Sequence, residues 1–180
     1  MDDETMAMVR EIKDRQEIYD CIMRYSRGID RLDRAMLLSA YHADAIDDHG
    51  STYIGGVEGF ADAVFALHGT YQEFTQHHIT NHRCELDGDV AHCESYYLFR
   101  CINKQAPWYN TASGRYLDRF EKRDGRWAIA ERICVVEAQD ELWGPNGNAD
   151  NTDYVTPSRS KDDPSYMRPL SVDRGRMGGA

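Results

Sequence analysis

No hydrophobic run in this chain approaches the roughly 18–20 residues that a membrane-spanning helix needs. Its start, Met1 followed by Asp2, Asp3 and Glu4, is unlike a basic secretory leader, so a cytoplasmic protein is expected. Positive charge is scarce: 21 Lys and Arg face 31 Asp and Glu, a formal net charge of −10. Such a surface repels phosphate backbones and anionic headgroups, so neither a nucleic acid nor a membrane is an expected partner. The five cysteines, Cys21, Cys84, Cys93, Cys101 and Cys134, contain no CxxC pair and read as reduced, packed thiols. There is no GxSxG elbow, and Gly55-Gly56 and Gly59 lack the strand–GxGxxG–helix setting of a nucleotide fold. Seven histidines offer no HxH or HExxH spacing; His78 and His82 share a strand face by alternation but stand four residues apart. No metal set and no cofactor is therefore expected. What survives for 180 residues is one acidic domain that handles a small molecule or another protein.

The charge is unevenly placed. Residues 144–180 carry five bases and five acids, so the whole net charge belongs to residues 1–143. That tail also holds four of the five prolines and shows no apolar periodicity. It is expected to be an extended C-terminal arm, either disordered or anchored through Tyr154, Tyr166, Met167 and Leu170 on the domain or a neighbouring subunit.

Within residues 1–143 the hydrophobic period changes once. Ile18, Ile22, Tyr25 and Ile29 fall at i, i+4, i+7 and i+11, one stripe of an amphipathic helix. Gly28 is a place for that helix to loosen, and Asp33 can cap a short second helix carrying Leu37, Leu38 and Tyr41. An extended piece near residues 45–48, a Gly55-Gly56 turn and a third helix with Phe60, Val64 and Leu67 follow. From Phe74 the period is two. Strands 74–86 and 90–102 meet at Asp87-Gly88-Asp89, and strands near 110–122 and 127–139 meet at Arg123-Asp124-Gly125-Arg126. Helices followed by long antiparallel strands make an α+β fold: a cone-shaped, curved, antiparallel-rich sheet wrapped around a pocket that the N-terminal helices close.

Three residues stand out on pattern. Asp30 follows the helical stripe directly and reads either as a cap for the segment from Leu32 or as an acid presented inside the domain. His77 lies mid-strand, alternating with Ile79 and Asn81 on one face, where most histidines are structural. Arg132 shares its face by alternation with Ala128, Ala130, Cys134 and Val136, so it either points into a cavity or pairs with a buried acid. Trp108 and Tyr109 form an apolar rim or ordinary packing.

The stretch Tyr25-Ser-Arg-Gly-Ile-Asp30, with Asp33, Leu37 and Tyr41-His-Ala-Asp44-Ala, resembles the opening of the SnoaL-like group of the nuclear-transport-factor-two-like superfamily. Thr75-Gln76-His77, running on to Asn81, is similar to the histidine strand of scytalone dehydratase and γ-hexachlorocyclohexane dehydrochlorinase. Gly114-Arg-Tyr116 and Glu121-Lys-Arg-Asp-Gly-Arg-Trp127 resemble the last hairpin of the latter. The resemblance spans roughly residues 8–140. It implies a cone fold and a lyase in which Asp30 orients His77 as base, and likeness to bile-acid dehydratase adds Tyr25 and Arg132. Elimination of water, hydrogen halide or, as in diarylpropane lyases, formaldehyde is the implied chemistry. The implied substrate is an aromatic or polycyclic small molecule held by residues among Arg100, Tyr116, Tyr96, Trp108, Asn81, Phe74 and Tyr53. Arg100 stands where scytalone dehydratase has a second histidine, and Gly114 and Tyr116 replace its Ser and Asn, so the leaving-group apparatus differs. Family habit implies a homo-oligomer, a trimer before a dimer. The competing readings are a non-catalytic binding module or small subunit of a ring-hydroxylating dioxygenase, and an isomerase or hydrolase using Asp47, Asp48 or Asp118.

Overall fold

A long amphipathic helix and four long strands dominate the computed structural model, which describes residues 2–142 and 159–162. Helix α1 (Asp3–Asp30) starts at Asp2, whose side chain accepts the Thr5 amide at 2.8 Å. Its first four turns are exposed. The stripe of Ile18, Cys21, Ile22, Tyr25 and Ile29 is buried against the sheet, each large apolar side chain contributing about 1.5–3 kcal/mol. The helix does not loosen at Gly28. A Cβ there would lie 2.5 Å from the Leu37 amide nitrogen, so glycine is what lets the short α2 (Arg34–Leu38) pack across it. Asp33 caps α2 through the Met36 amide.

Tyr41 was expected on that second helix; instead it opens β1 (Tyr41–Asp48). Gly55-Gly56, expected as a turn, sits in β2 (Ile54–Gly56), which leads directly into α3 (Val57–Tyr71). Then come β3 (Gln72–Asp87), β4 (Val90–Asn103), β5 (Tyr109–Arg123) and β6 (Arg126–Leu142). The hairpins turn at the two Gly-containing loops read from sequence, with Gly88 and Gly125 at positive φ.

The six strands form one curved, unclosed sheet in the order β2-β1-β6-β5-β4-β3. Only the β1–β6 pair is parallel. The concave side carries the core, where Phe60, Tyr116, Phe120, Trp127 and Ile129 meet the α1 stripe. Asp14 ties α1 to the last hairpin, accepting from Trp127 Nε1 at 2.9 Å and from Lys122 Nζ at 2.7 Å.

Three of the sheet's register shifts decide the faces of the residues singled out from sequence. One extra residue on β3 lies between the pairs Ile79↔Tyr97 and His82↔Ser95. On β6, Ala130 is extra between Phe120↔Ile129 and Arg119↔Glu131, and residue 137 is extra between Gly114↔Val136 and Ser113↔Ala138. Each bulge swaps the faces beyond it. No described helix is long and apolar enough to cross a membrane. The arm expected over 144–180, with its four anchoring side chains, lies outside the described residues apart from 159–162.

Candidate active site

The mouth of the curved sheet holds a cavity of about 550 Å³, within the range of small-molecule sites. Tyr25, Tyr97, Phe99 and Tyr116 supply aromatic wall, and three histidines, His49, His68 and His77, reach it from the end of β1, from α3 and from β3 in that order.

His77 is held from behind. Its Nδ1 lies 2.6 Å from Asp30 Oδ1, and its backbone N–H donates to Asp30 Oδ2 at 2.9 Å. Asp30 is the last residue of α1, so the helix terminus delivers a carboxylate onto the middle of β3. It does not cap the segment from Leu32; Asp33 does that work for α2. With Nδ1–H donating to the carboxylate, Nε2 carries the lone pair and is the ring atom left for the cavity. Phe99, at 4.8 Å between ring centroids, and His68, stacked nearly parallel at 6.1 Å, pack on the imidazole.

A second carboxylate–imidazole pair enters the same cavity. His49 Nδ1 contacts Asp47 Oδ1, and Asp47 Oδ2 accepts from the Tyr41 hydroxyl at 2.6 Å. Asp47 is fully buried. Burial alone pulls the His49 imidazole down, but the Asp47 hydrogen bond and charge, aided by Cys134, outweigh it and raise His49 to about 9. His49 is therefore an imidazolium at neutral pH, and its Nε2–H donates to the Tyr25 oxygen at 3.3 Å. Burial pushes the Tyr25 phenol well above its ordinary range, so it stays protonated. The signal for His49 was in the sequence, since Asp47 and His49 stand two apart on extended chain and share a face. His68 continues the Phe60-Val64 stripe of α3 by four residues.

Arg132 is 1% exposed and does not line the cavity. It makes a bidentate pair with Asp118, both bonds 2.7 Å, and its guanidinium lies beneath the Tyr25 and Tyr116 rings at 4.0 and 4.2 Å. Of the two options the sequence left, the geometry is the buried ion pair. Alternation had grouped it with Ala128 and Ala130; the Ala130 bulge places it instead on the face of Ile129, opposite Asp118.

The other candidates divide. Tyr116 lines the cavity. Asn81 does not, because the β3 bulge turns it to the exposed side. Tyr96 and Arg100 point to the outer face, beside Arg115 and Tyr109 respectively. Phe74 and Trp108 are half-buried away from the cavity wall. Tyr53 packs on Phe60 and Gly59 behind it. Asp48 accepts from the Gly50 amide, and neither Asp47 nor Asp118 reaches the wall itself.

A family profile described as the SnoaL-like domain matches residues 10–133, more than half of the chain. Among solved structures, a type 2 hexachlorocyclohexane dehydrochlorinase superposes with a TM-score of 0.73 at 20% identity, covering 79% of this chain and 98% of its own. The type 3 dehydrochlorinase of Novosphingobium barchaimii gives 0.71 at 20% identity, with coverages of 83% and 99%. A candidate scytalone dehydratase from Novosphingobium aromaticivorans gives 0.67 at 18% identity, with 78% and 97%. These identities speak to a shared fold. No curated protein sequence matches the chain.

Proposed function

The chain belongs to the SnoaL-like domain family, within the nuclear-transport-factor-two-like superfamily, and from that premise we propose that it is a lyase. It uses its own side chains to eliminate a small leaving group from a hydrophobic, ring-bearing molecule. The observation that carries this reading is the Asp30–His77 pair, 2.6 Å apart, with Nε2 open to an aromatic-walled cavity. Two similar folds carry the names of a dehydrochlorinase and a candidate scytalone dehydratase, both elimination enzymes by name.

In the proposed reaction His77 Nε2 removes a proton from substrate carbon, a step in which a positioned base contributes roughly 10²–10⁴-fold. Asp30 fixes the tautomer and stabilises the imidazolium that forms. As the bond to the leaving group breaks, the Tyr25 hydroxyl donates its proton to the departing atom and is reprotonated by His49 Nε2–H. One histidine thus accepts a proton at Nε2 and the other donates one, which is the division of labour an elimination needs. Arg132 is a positioning residue: it holds the Tyr25 and Tyr116 rings from below and lends positive potential to the floor. The acidic exterior around this floor favours a neutral or phenolic substrate over an anionic one.

The test is to incubate the purified protein with dehydration, dehalogenation and diarylpropane substrates, without added cofactor, following products by mass spectrometry. One class is expected to turn over, and His77→Ala should abolish the product while circular dichroism stays unchanged. Turnover that survives His77→Ala would refute the assignment. We also infer a cytoplasmic homo-oligomer, trimer before dimer. Exposed Leu98 (52%) and Ile133 (50%) on the outer sheet face support self-association, and sedimentation velocity reads it directly.

A further inference from the structure

Below the cavity, where α1 crosses the β3–β4 hairpin, His82, Cys84 and Cys93 converge. Their ligand atoms all lie within 4.8 Å of one another. His82 and Cys84 stand two apart on β3 and share its inner face, and Cys93 is the direct partner of Cys84 across the ladder to β4. Spacing along the chain hides this group. Simple alternation pairs His82 with His78, but the extra residue between Ile79 and His82 turns His82 inward and leaves His78 on the outer face.

We propose that His82, Cys84 and Cys93 bind one Zn²⁺ ion, with an exogenous ligand such as water in the fourth position. Two thiolates and one imidazole match zinc in charge and softness, and three protein ligands with one open place is a recurrent zinc arrangement.

Three observations support it beyond proximity. His82 Nδ1 is 2.9 Å from Ser95 Oγ, whereas its Nε2 is buried with no partner among the described residues. A ring anchored at one nitrogen and orphaned at the other is the usual state of a metal-ligating histidine. The site is roofed, since Tyr19 packs edge-on to the His82 ring at 5.8 Å and Arg15 donates to the Cys84 carbonyl at 2.8 Å. Finally, the movement required is small. Zn–S bonds of about 2.3 Å and Zn–N bonds of about 2.1 Å put tetrahedral ligands on the order of 3.5 Å apart, so closing the set by about 1 Å suffices.

This site is independent of the proposed elimination, and its test needs no substrate. Titrating the reduced full-length chain with Co²⁺ should give a near-ultraviolet thiolate-to-cobalt band that saturates at one ion per chain and is bleached by Zn²⁺. Cys84→Ser and Cys93→Ser should each lose the band, while Ser95→Ala keeps it and binds about 10–100-fold more weakly. Should either serine variant misfold by circular dichroism, alkylation of the wild type decides. Zn²⁺ must slow labelling of Cys84 and Cys93 and leave Cys134 unchanged. Absence of the band in reduced protein, its persistence in both well-folded serine variants, or alkylation rates indifferent to Zn²⁺ overturns the proposal. So does a Cys84–Cys93 disulfide, found by non-reducing peptide mapping, that occupies the thiols and blocks the metal in freshly isolated protein.

Discussion

Replacing Asp30 with Asn isolates the step on which the proposed chemistry rests. The side chain keeps its shape, and the amide oxygen can still accept the His77 backbone N–H that Asp30 accepts at 2.9 Å. The other arm becomes an –NH₂ facing His77 Nδ1, where the carboxylate oxygen sat at 2.6 Å. Two donors cannot share that distance, so Nδ1 must become the acceptor and the ring proton moves to Nε2. The atom open to the cavity then donates instead of accepting, and the base is lost with the architecture intact. A loss of about 10²–10⁴ in kcat is expected, or about 2.7–5.4 kcal/mol in the barrier at 1.36 kcal/mol per decade. KM should hardly move, because Asp30 does not line the cavity. Two readouts apply. Steady-state kinetics on the substrate found in the panel separates kcat from KM. Long-range ¹H–¹⁵N correlation of the His77 ring reports the tautomer without any substrate: proton on Nδ1 in the wild type, on Nε2 in Asp30→Asn. An unchanged tautomer, or an unchanged kcat with the tautomer switched, refutes the reasoning.

The second dyad makes stability depend on pH. An unfolded imidazole titrates near 6.5 and folded His49 near 9, so the stabilisation is complete below about pH 6.5 and is lost as pH rises through about 9. It amounts to something on the order of 3 kcal/mol. Unfolding free energies from urea titrations at pH 6 to 10 should fall in the wild type by that much more than in His49→Gln, and parallel curves would sink the assignment. At the Arg132–Asp118 pair, Arg132→Met strands a buried carboxylate and should destabilise by about 3–5 kcal/mol, whereas Arg132→Met with Asp118→Leu should recover most of it. Denaturant unfolding of the three proteins checks this, and equal losses in single and double variants would refute it. Gly114→Ala puts a Cβ 1.8 Å from the Val135 carbonyl oxygen, a backbone collision that should cost more than about 1–3 kcal/mol. A melting temperature within error of the wild type would contradict that.

The sequence was legible wherever one period ran unbroken. The α1 stripe and both hairpin turns lie on stretches free of register shifts, so spacing read directly as position, whereas the approach of Asp30 to His77 was implied by the family resemblance and not by spacing. It failed where a strand carried one residue too many. Asn81 was grouped with His77 and Arg132 with Ala128 and Ala130; Asn81 lies within a bulge and Arg132 just past one, and each is turned away from the residues that alternation grouped it with. Nothing local marks such a shift, because it is imposed by the partner strand: Gly114 accommodates the Val135 carbonyl only once β5 and β6 are paired. His49 was overlooked for another reason. It sits where β1 ends, and its significance depends on Tyr25, 24 residues away on α1.

The same shifts that defeat alternation also build the chemistry. Without the Ala130 bulge, Arg132 would face outward, Asp118 would be a buried unpaired carboxylate, and the floor beneath Tyr25 and Tyr116 would carry no cation. Without the extra residue after Ile79, His82 would join His78 outside and could not meet Cys84. His77 precedes that bulge and His82 follows it, yet both face inward, the first toward an acid from α1 and the second toward a pair of thiols. A regular strand can present inward-facing residues only at even separations, whereas these two are five apart. The bulge is thus what lets one strand serve two inner sites. Deleting one residue at 80 or 81 should therefore spare the Asp30–His77 hydrogen bond and abolish cobalt binding at the thiols. Ring correlation spectra and the cobalt titration on a folded deletion variant measure the two effects separately. Loss of both together, or of neither, would contradict the division of labour along β3.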